Sequence, residues 1–165
     1  CQLWHHRTKI VLWRGDLPAR VVFVAEAPGR SENGLGVPFA PAAEAGKVFE
    51  AIRLECGVVA NYGVTNIVSC PPKAGPHHGQ LEKPDPVHAE ACRERLMDTL
   101  KMMGSPYKVV LMGNTAKTLF PKEGYPCKKV KVVHPSHIAR EKVALKWSLD
   151  YQRTVETISN FLGED

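Results

Sequence analysis

A chain of 165 residues, 44% of them apolar and 24% charged, has the ordinary composition of one globular domain, here residues 1–165. No run approaches the ~20 apolar residues needed to span a membrane and no signal-peptide pattern opens the sequence, so a cytoplasmic protein with no membrane partner is expected. The net charge of +5 is concentrated between Pro121 and Lys146, where Lys122, Lys128, Lys129, Lys131, Arg140, Lys142 and Lys146 face only Glu123 and Glu141. Such a stretch is either a solvated face or a surface for a polyanion such as nucleic acid.

Along the chain, Val21–Glu26 is an apolar run bounded by Pro18 and by Pro28-Gly29, which predicts a buried strand. A loop follows that carries Glu26, Glu32 and, at its end, Phe39. Ala42–Cys56 has helical spacing, with Val48, Ile52 and Leu54 among charged residues and Gly57 as a stop. Gly63–Ser69 is β-branched and apolar and predicts a second strand. Cys70–Pro86, with five prolines, two glycines and the pair His77-His78, reads as a long surface loop. The pattern then predicts a helix over Val87–Met103, a strand over Tyr107–Gly113 and a short helix over Asn114–Phe120. A β-branched strand over Lys128–Val133 and a closing helix over Lys146–Leu162 complete the chain. Strands alternating with helices predict an α/β fold, a three-layer αβα sandwich around a mostly parallel central sheet.

Open sheets of this class bind ligands in the crevice outside the carboxyl ends of their strands. Polar residues at predicted strand ends are therefore the ones to examine. The glycine-containing loop after the first strand matches neither phosphate-binding fingerprint. Its acids Glu26 and Glu32 either position water and stabilise positive charge or are ordinary surface carboxylates. Phe39 is either a stacking platform for a base or a core residue. Asn66 sits in an otherwise apolar strand, where Asn is disfavoured, so its amide is satisfied by backbone or presented to a ligand. His134 ends a strand and could donate to a carbonyl or a leaving anion. The five cysteines, Cys1, Cys56, Cys70, Cys92 and Cys127, form no compact pair, and spacing alone makes each a buried free thiol.

Taken together, AEAPGRSEN…GVPF, VTNIVSCPP, EACRERL, LMGNTAKTLF and VHPSHIAR resemble, in order, the motif series of the uracil-DNA glycosylase superfamily. The branch they are most similar to is its iron–sulfur-containing bacterial and archaeal family 4, and CQLWHHRT resembles the N-terminal segment of that branch. The resemblance implies a uracil-DNA glycosylase-like fold and a monofunctional, monomeric enzyme of base-excision repair. Its substrate would be DNA containing uracil or another modified base, and its product an abasic site. Carried over residue by residue, it gives catalytic roles to Glu26, Glu32 and His134, and base contacts to Ala27, Phe39 and Asn66. Ser136 and Arg140 would hold DNA phosphates, with Ile138 as the wedge that fills the vacated stack. Chemistry on a base inside a duplex requires extrusion from the stack, which is what a pocket, a wedge and a phosphate clamp serve. The resemblance further implies a [4Fe–4S] cluster held by Cys1, Cys70 and Cys92. The family's remaining cysteine falls three residues ahead of Cys1, outside this sequence, so the fourth ligand is not identified.

The sequence departs from the family pattern in places. Ala25 replaces a Gly, Asn33 an acid and Ser69 a Lys, while the Pro/His loop is longer and a basic insertion of a covalently trapping branch is missing. These departures leave room for a glycosylase of another modified pyrimidine, such as a hypermodified phage base in anti-phage defence. A catalytically inactive iron–sulfur DNA-binding module is the alternative from a different class.

Overall fold

The computed structural model describes residues 1–75 and 81–164, so the His77-His78 pair lies outside the described residues. Five strands, β1 Trp13–Gly15, β2 Val21–Ala25, β3 Tyr62–Asn66, β4 Lys108–Met112 and β5 Lys128–Val132, form one sheet. Six helices surround it: α1 Arg30–Leu35, α2 Glu44–Glu55, α3 Pro86–Met102, α4 Asn114–Leu119, α5 Pro135–Arg140 and α6 Leu149–Gly163. The strand order is β1-β3-β2-β4-β5, with β1 antiparallel and every other pairing parallel. The expected mostly parallel α/β sandwich is found.

Side chains alternate across the sheet, and each strand therefore feeds two cores. Val21, Phe23 and Ala25 of β2, with Val110 and Met112 of β4, join Phe49, Ile52, Ile138, Tyr151 and Ile158 on one face. Val22 and Val24, with Val109 and Leu111, join Leu3, Leu96, Leu100, Ala116 and Phe120 on the other. All five residues of β2 are buried, as a central parallel strand covered on both faces must be. Chain order crosses from β2 outward to β3 and back over β2 to β4. That reversal opens a crevice above the carboxyl ends of the central strands, with Ala25 beside Asn66 in register.

Three local features differ from the sequence reading. The antiparallel edge β1 is only three residues long, and its one charged residue, Arg14, turns inward to a hydrogen-bond network rather than to solvent. The six-residue helices α1 and α5 are too short to show a helical period. Cys70, Pro71 and Pro72 are buried, so the long Pro-rich segment begins inside the protein and reaches the surface only from Lys73 onward. Among the described residues, no helix is long and apolar enough to cross a membrane.

One close approach sets the geometry of the crevice. Gly46 of α2 packs on the backbone of Phe39 and Ala40, and a Cβ there would stand 1.9 Å from the Ala40 carbonyl oxygen. Gly46→Ala must therefore move the Phe39 segment off its seat. Overpacking of this kind costs about 1–3 kcal/mol. Thermal unfolding should show a melting temperature lower by several degrees, and an unchanged value would mean that the segment yields freely.

Candidate active site

Residues from four separated stretches meet at the carboxyl end of the sheet. The loop after β2 supplies Glu26, Glu32 and Phe39, β3 supplies Asn66, Gly113 follows β4, and His134 follows β5.

His134 is the N-cap of α5, and this fixes its tautomer. The backbone N–H of Ser136 donates to His134 Nδ1 at 3.2 Å, and the Ser136 hydroxyl lies 2.8 Å from the same nitrogen. An accepting Nδ1 leaves the ring proton on Nε2, which is then the donor. Burial pushes the imidazole below its ordinary pKa, Glu26 opposes that shift and Arg140 adds to it, so the neutral ring is favoured. Gly113, at φ +98°, passes so close that a Cβ would lie 3.2 Å from that of His134. A side chain there would both strain the backbone and displace the imidazole.

Phe39 lies in parallel stacking on Phe49 with centroids 4.8 Å apart, and its ring centroid is 5.4 Å from that of His134. Its backbone is left-handed at φ 45°, a conformation costing a non-glycine residue about 1–2 kcal/mol. Several contacts hold it. The Glu32 carboxylate accepts from the Phe39 N–H and, at 2.5 Å, from the Gly29 N–H. Arg14 donates to the carbonyls of Pro38 at 2.8 Å and Phe39 at 3.2 Å, and pairs with Glu50 at 2.5 Å. Glu32 is therefore committed to backbone donors, with burial raising its pKa against those two bonds. This corrects the expectation of Glu32 as an acid free to act on a substrate; the carboxylate positions Phe39.

Asn66 is 1% exposed, and its Nδ2 is a buried donor with no partner among the described residues. Leaving such a donor unpaired costs about 1–3 kcal/mol, which a ligand carbonyl would recover. Its carboxyl-end position beside Ala25 aims the residue at the same crevice as the Phe39 loop.

The remaining expected residues are placed as follows. Ala27 packs against the α3-side core. Arg140 is exposed at the end of α5, and Ser136 directs its hydroxyl to His134. Ile138 is 2% exposed and packed among Val48, Phe49 and Ile158, so it is core and does not project as a wedge. The exposed side chains of α5 are His137 and Arg140. His137 Nε2 is 3.4 Å from Asp150 Oδ2, a contact that ties α5 to α6.

Cys70 and Cys92 share one surrounding. Both belong to or border the α3-side core, and Leu3 anchors the Cys1 segment in that same core. Arg95 of α3 feels both thiols, Cys92 foremost, and its Nε is a buried donor without a partner among the described residues. Arg7 Nη1 lies 3.8 Å from Cys70 Sγ. Two soft sulfur donors flanked by two guanidinium groups suit an anionic iron–sulfur cluster. Cys56 and Cys127 are packing thiols: burial raises both pKa values, and Cys56 Sγ contacts the Val155 carbonyl at 3.6 Å.

Residues 12–156 match the family model described as the uracil DNA glycosylase superfamily. The chain is 28% identical over 158 residues to a type-4 uracil-DNA glycosylase of Thermotoga maritima, covering 86% of this chain and 78% of that protein. It is 32% identical over 130 residues to a protein of the same name from Sulfurisphaera tokodaii, covering 75% of this chain and 54% of that one. A third so named, from Archaeoglobus fulgidus, is 32% identical over 117 residues, 70% of this chain and 54% of its own length. The chain thus spans little more than half the length of the latter two relatives.

The electrostatics of His134 predict a pH dependence with a definite sign. Its folded pKa lies below the ordinary value of 6.5, so the unfolded chain takes up this proton first. Stability is retained above about pH 6.5 and falls as pH drops through that value toward the folded pKa. Ring-proton NMR should give a His134 midpoint below 6.5, with the acid loss reduced in His134→Gln. A midpoint above it would mean that Glu26 outweighs burial.

Proposed function

The chain belongs to the uracil DNA glycosylase superfamily, and we propose that it hydrolyses the N-glycosidic bond of uracil turned out of DNA, leaving an abasic site. The observation that carries this reading is the buried, unpaired Nδ2 of Asn66 at the carboxyl end of β3. A buried donor at that point suits the O4 carbonyl of uracil.

The base enters with one face toward Phe39, whose opposite face is already taken by Phe49. As the bond to the sugar breaks, negative charge builds on the base O2. The Nε2–H of neutral His134 donates to it, and its Nδ1 is already bonded to Ser136, so little reorganisation accompanies the step. Glu26 supplies negative charge on the sugar side, where the departing base leaves a cation-like centre, and orients the attacking water. No lysine belongs to this constellation, which fits simple hydrolysis without a Schiff base. Arg140 and the backbone of α5 hold a flanking phosphate, and Ala27 borders the base from the loop. The protein acts as a monomeric, cytoplasmic domain on DNA, without a membrane partner.

The [4Fe–4S] cluster, held by Cys1, Cys70, Cys92 and a fourth ligand, serves as a structural staple between the N-terminal segment, β3 and α3. Its loss loosens the elements that present Asn66. Cys70→Ser should lower bound iron and acid-labile sulfide and reduce thermal stability. Full iron content in that variant would remove Cys70 from the ligand set.

Base release read by mass spectrometry tests the catalytic reading. Uracil opposite guanine should be freed by the wild-type protein. Removing one well-placed donor to a developing anion typically costs about 10²–10³ in rate, the loss expected for His134→Ala. Asn66→Ala should lose uracil excision to a comparable degree while duplex affinity stays within a few-fold. Wild-type rates in both variants would overturn the assignment.

A further inference from the structure

The basic excess of this chain is built into a groove as well as spread over a surface. On β5, Val130 and Val132 face the α6 side of the sheet, and Lys129 and Lys131 face the other. At the equivalent positions of β4 the same face carries the apolar residues Val109 and Leu111. The two β5 lysines, with Val130 between them, line a hollow of about 200 Å³ together with Lys117 of α4, Lys122, Phe120 and Leu111. Lys129 Nζ lies 5.5 Å from the centre of the Phe120 ring. Among the described residues, none of these four lysines pairs with a carboxylate. Converging like charges are unfavourable in the folded state unless an anion is supplied from outside.

The position of the groove says which anion. Lys131 precedes His134 by three residues and Lys129 by five, so at about 3.3 Å per strand residue they stand ~10 and ~17 Å from it along the chain. Lys117 is one helical turn beyond Gly113, at the site end of the same hollow. Successive phosphates of one strand advance about 3.4 Å along the helix axis, so lysines at these distances reach the backbone within roughly five nucleotides of the target base. We infer that the groove between β5 and α4, lined by Lys117, Lys122, Lys129 and Lys131, holds the phosphate backbone of DNA flanking the flipped nucleotide. It extends the footprint well beyond the catalytic crevice. This inference rests on the proposed action on DNA, but not on which base is excised.

The test is the salt dependence of duplex binding, measured with a 30-base-pair abasic-site duplex so that catalysis plays no part. Each released phosphate contact lowers the slope of log K against log salt by about 0.9. The fourfold variant Lys117→Gln, Lys122→Gln, Lys129→Gln, Lys131→Gln should lose two or more units of slope and at least tenfold in affinity at low salt. All four are surface positions, and circular dichroism should confirm an unchanged fold. On a 30-base-pair duplex whose flanking phosphates within five nucleotides of the site are replaced by uncharged methylphosphonates, variant and wild type should bind alike, because the charges they grip are gone. Single-turnover uracil release at saturating enzyme should stay within about twofold. An unchanged slope would reduce the lysines to a solvated face, and an equal loss on the neutralised duplex would put their contact elsewhere. If the slope fell as expected but no uracil were released by either protein, the groove would stand and the base assignment would fail.

Discussion

The left-handed backbone at Phe39 is the constraint on which the site depends. A non-glycine residue at φ 45° stays there only when its surroundings over-determine it. Here the Phe39 N–H is held by Glu32, its carbonyl by Arg14, and its peptide by the bare Cα of Gly46. Each restraint comes from a different element: α1, β1 and α2. Arg14 is itself held by Glu50, whose carboxylate resists burial and is kept below its ordinary pKa by Arg53 and Arg14. The ring is thus held against Phe49 and beside His134 by a scaffold that would have to come apart in several places before it moved. Preorganisation of this kind lets binding energy go into the transition state rather than into ordering a loop.

His134 applies the same logic with fewer parts. As the cap of α5 its Nδ1 takes a backbone donor, so one contact starts a helix and selects a tautomer. Burial then keeps the ring neutral, and Gly113 keeps the space beside it clear. A helix cap with these properties is at the same time a donor fixed in direction.

How much of this was legible in the sequence follows from what each residue does locally. Strands β2, β3 and β4 were readable as short apolar runs buried on both faces and β5 as a β-branched run with alternating lysines, and Asn66 stood out as an amide within β3. His134 and Phe39 were legible as residues at the ends of predicted elements. The edge strand β1 was not, since three residues with a central arginine carry no strand period. Nor could pattern separate the two acids of the first loop. Glu32 is three residues past the cap of α1 and folds back onto its N–H, a relation that appears only once that helix is known. Ile138 shows the reverse case. Its motif position suggested an exposed wedge, but on α5 it falls on the face turned to α2 and α6, and an isoleucine there is core. The strand order, and hence the crevice, depends on long-range pairings that no local window contains.

Arg95 joins the cysteines to the end of β3 that carries Asn66. Its Nη2 donates to the carbonyls of Asn66 at 2.8 Å and Ile67 at 2.7 Å, and its Nη1 to Thr65 Oγ1 at 3.2 Å. The same guanidinium is close enough to Cys92 and Cys70 for their charge to bear on it, while no carboxylate among the described residues pairs with it. A buried cation requires a counter-charge. Here the guanidinium meets two backbone carbonyls, one hydroxyl and two sulfurs. The end of β3 that carries Asn66 is therefore held by a cation whose other side meets the two cysteines. Packing at the cysteines and order at the Asn66 amide are thus linked through one side chain, so a change at either sulfur is felt at the carboxyl end of β3.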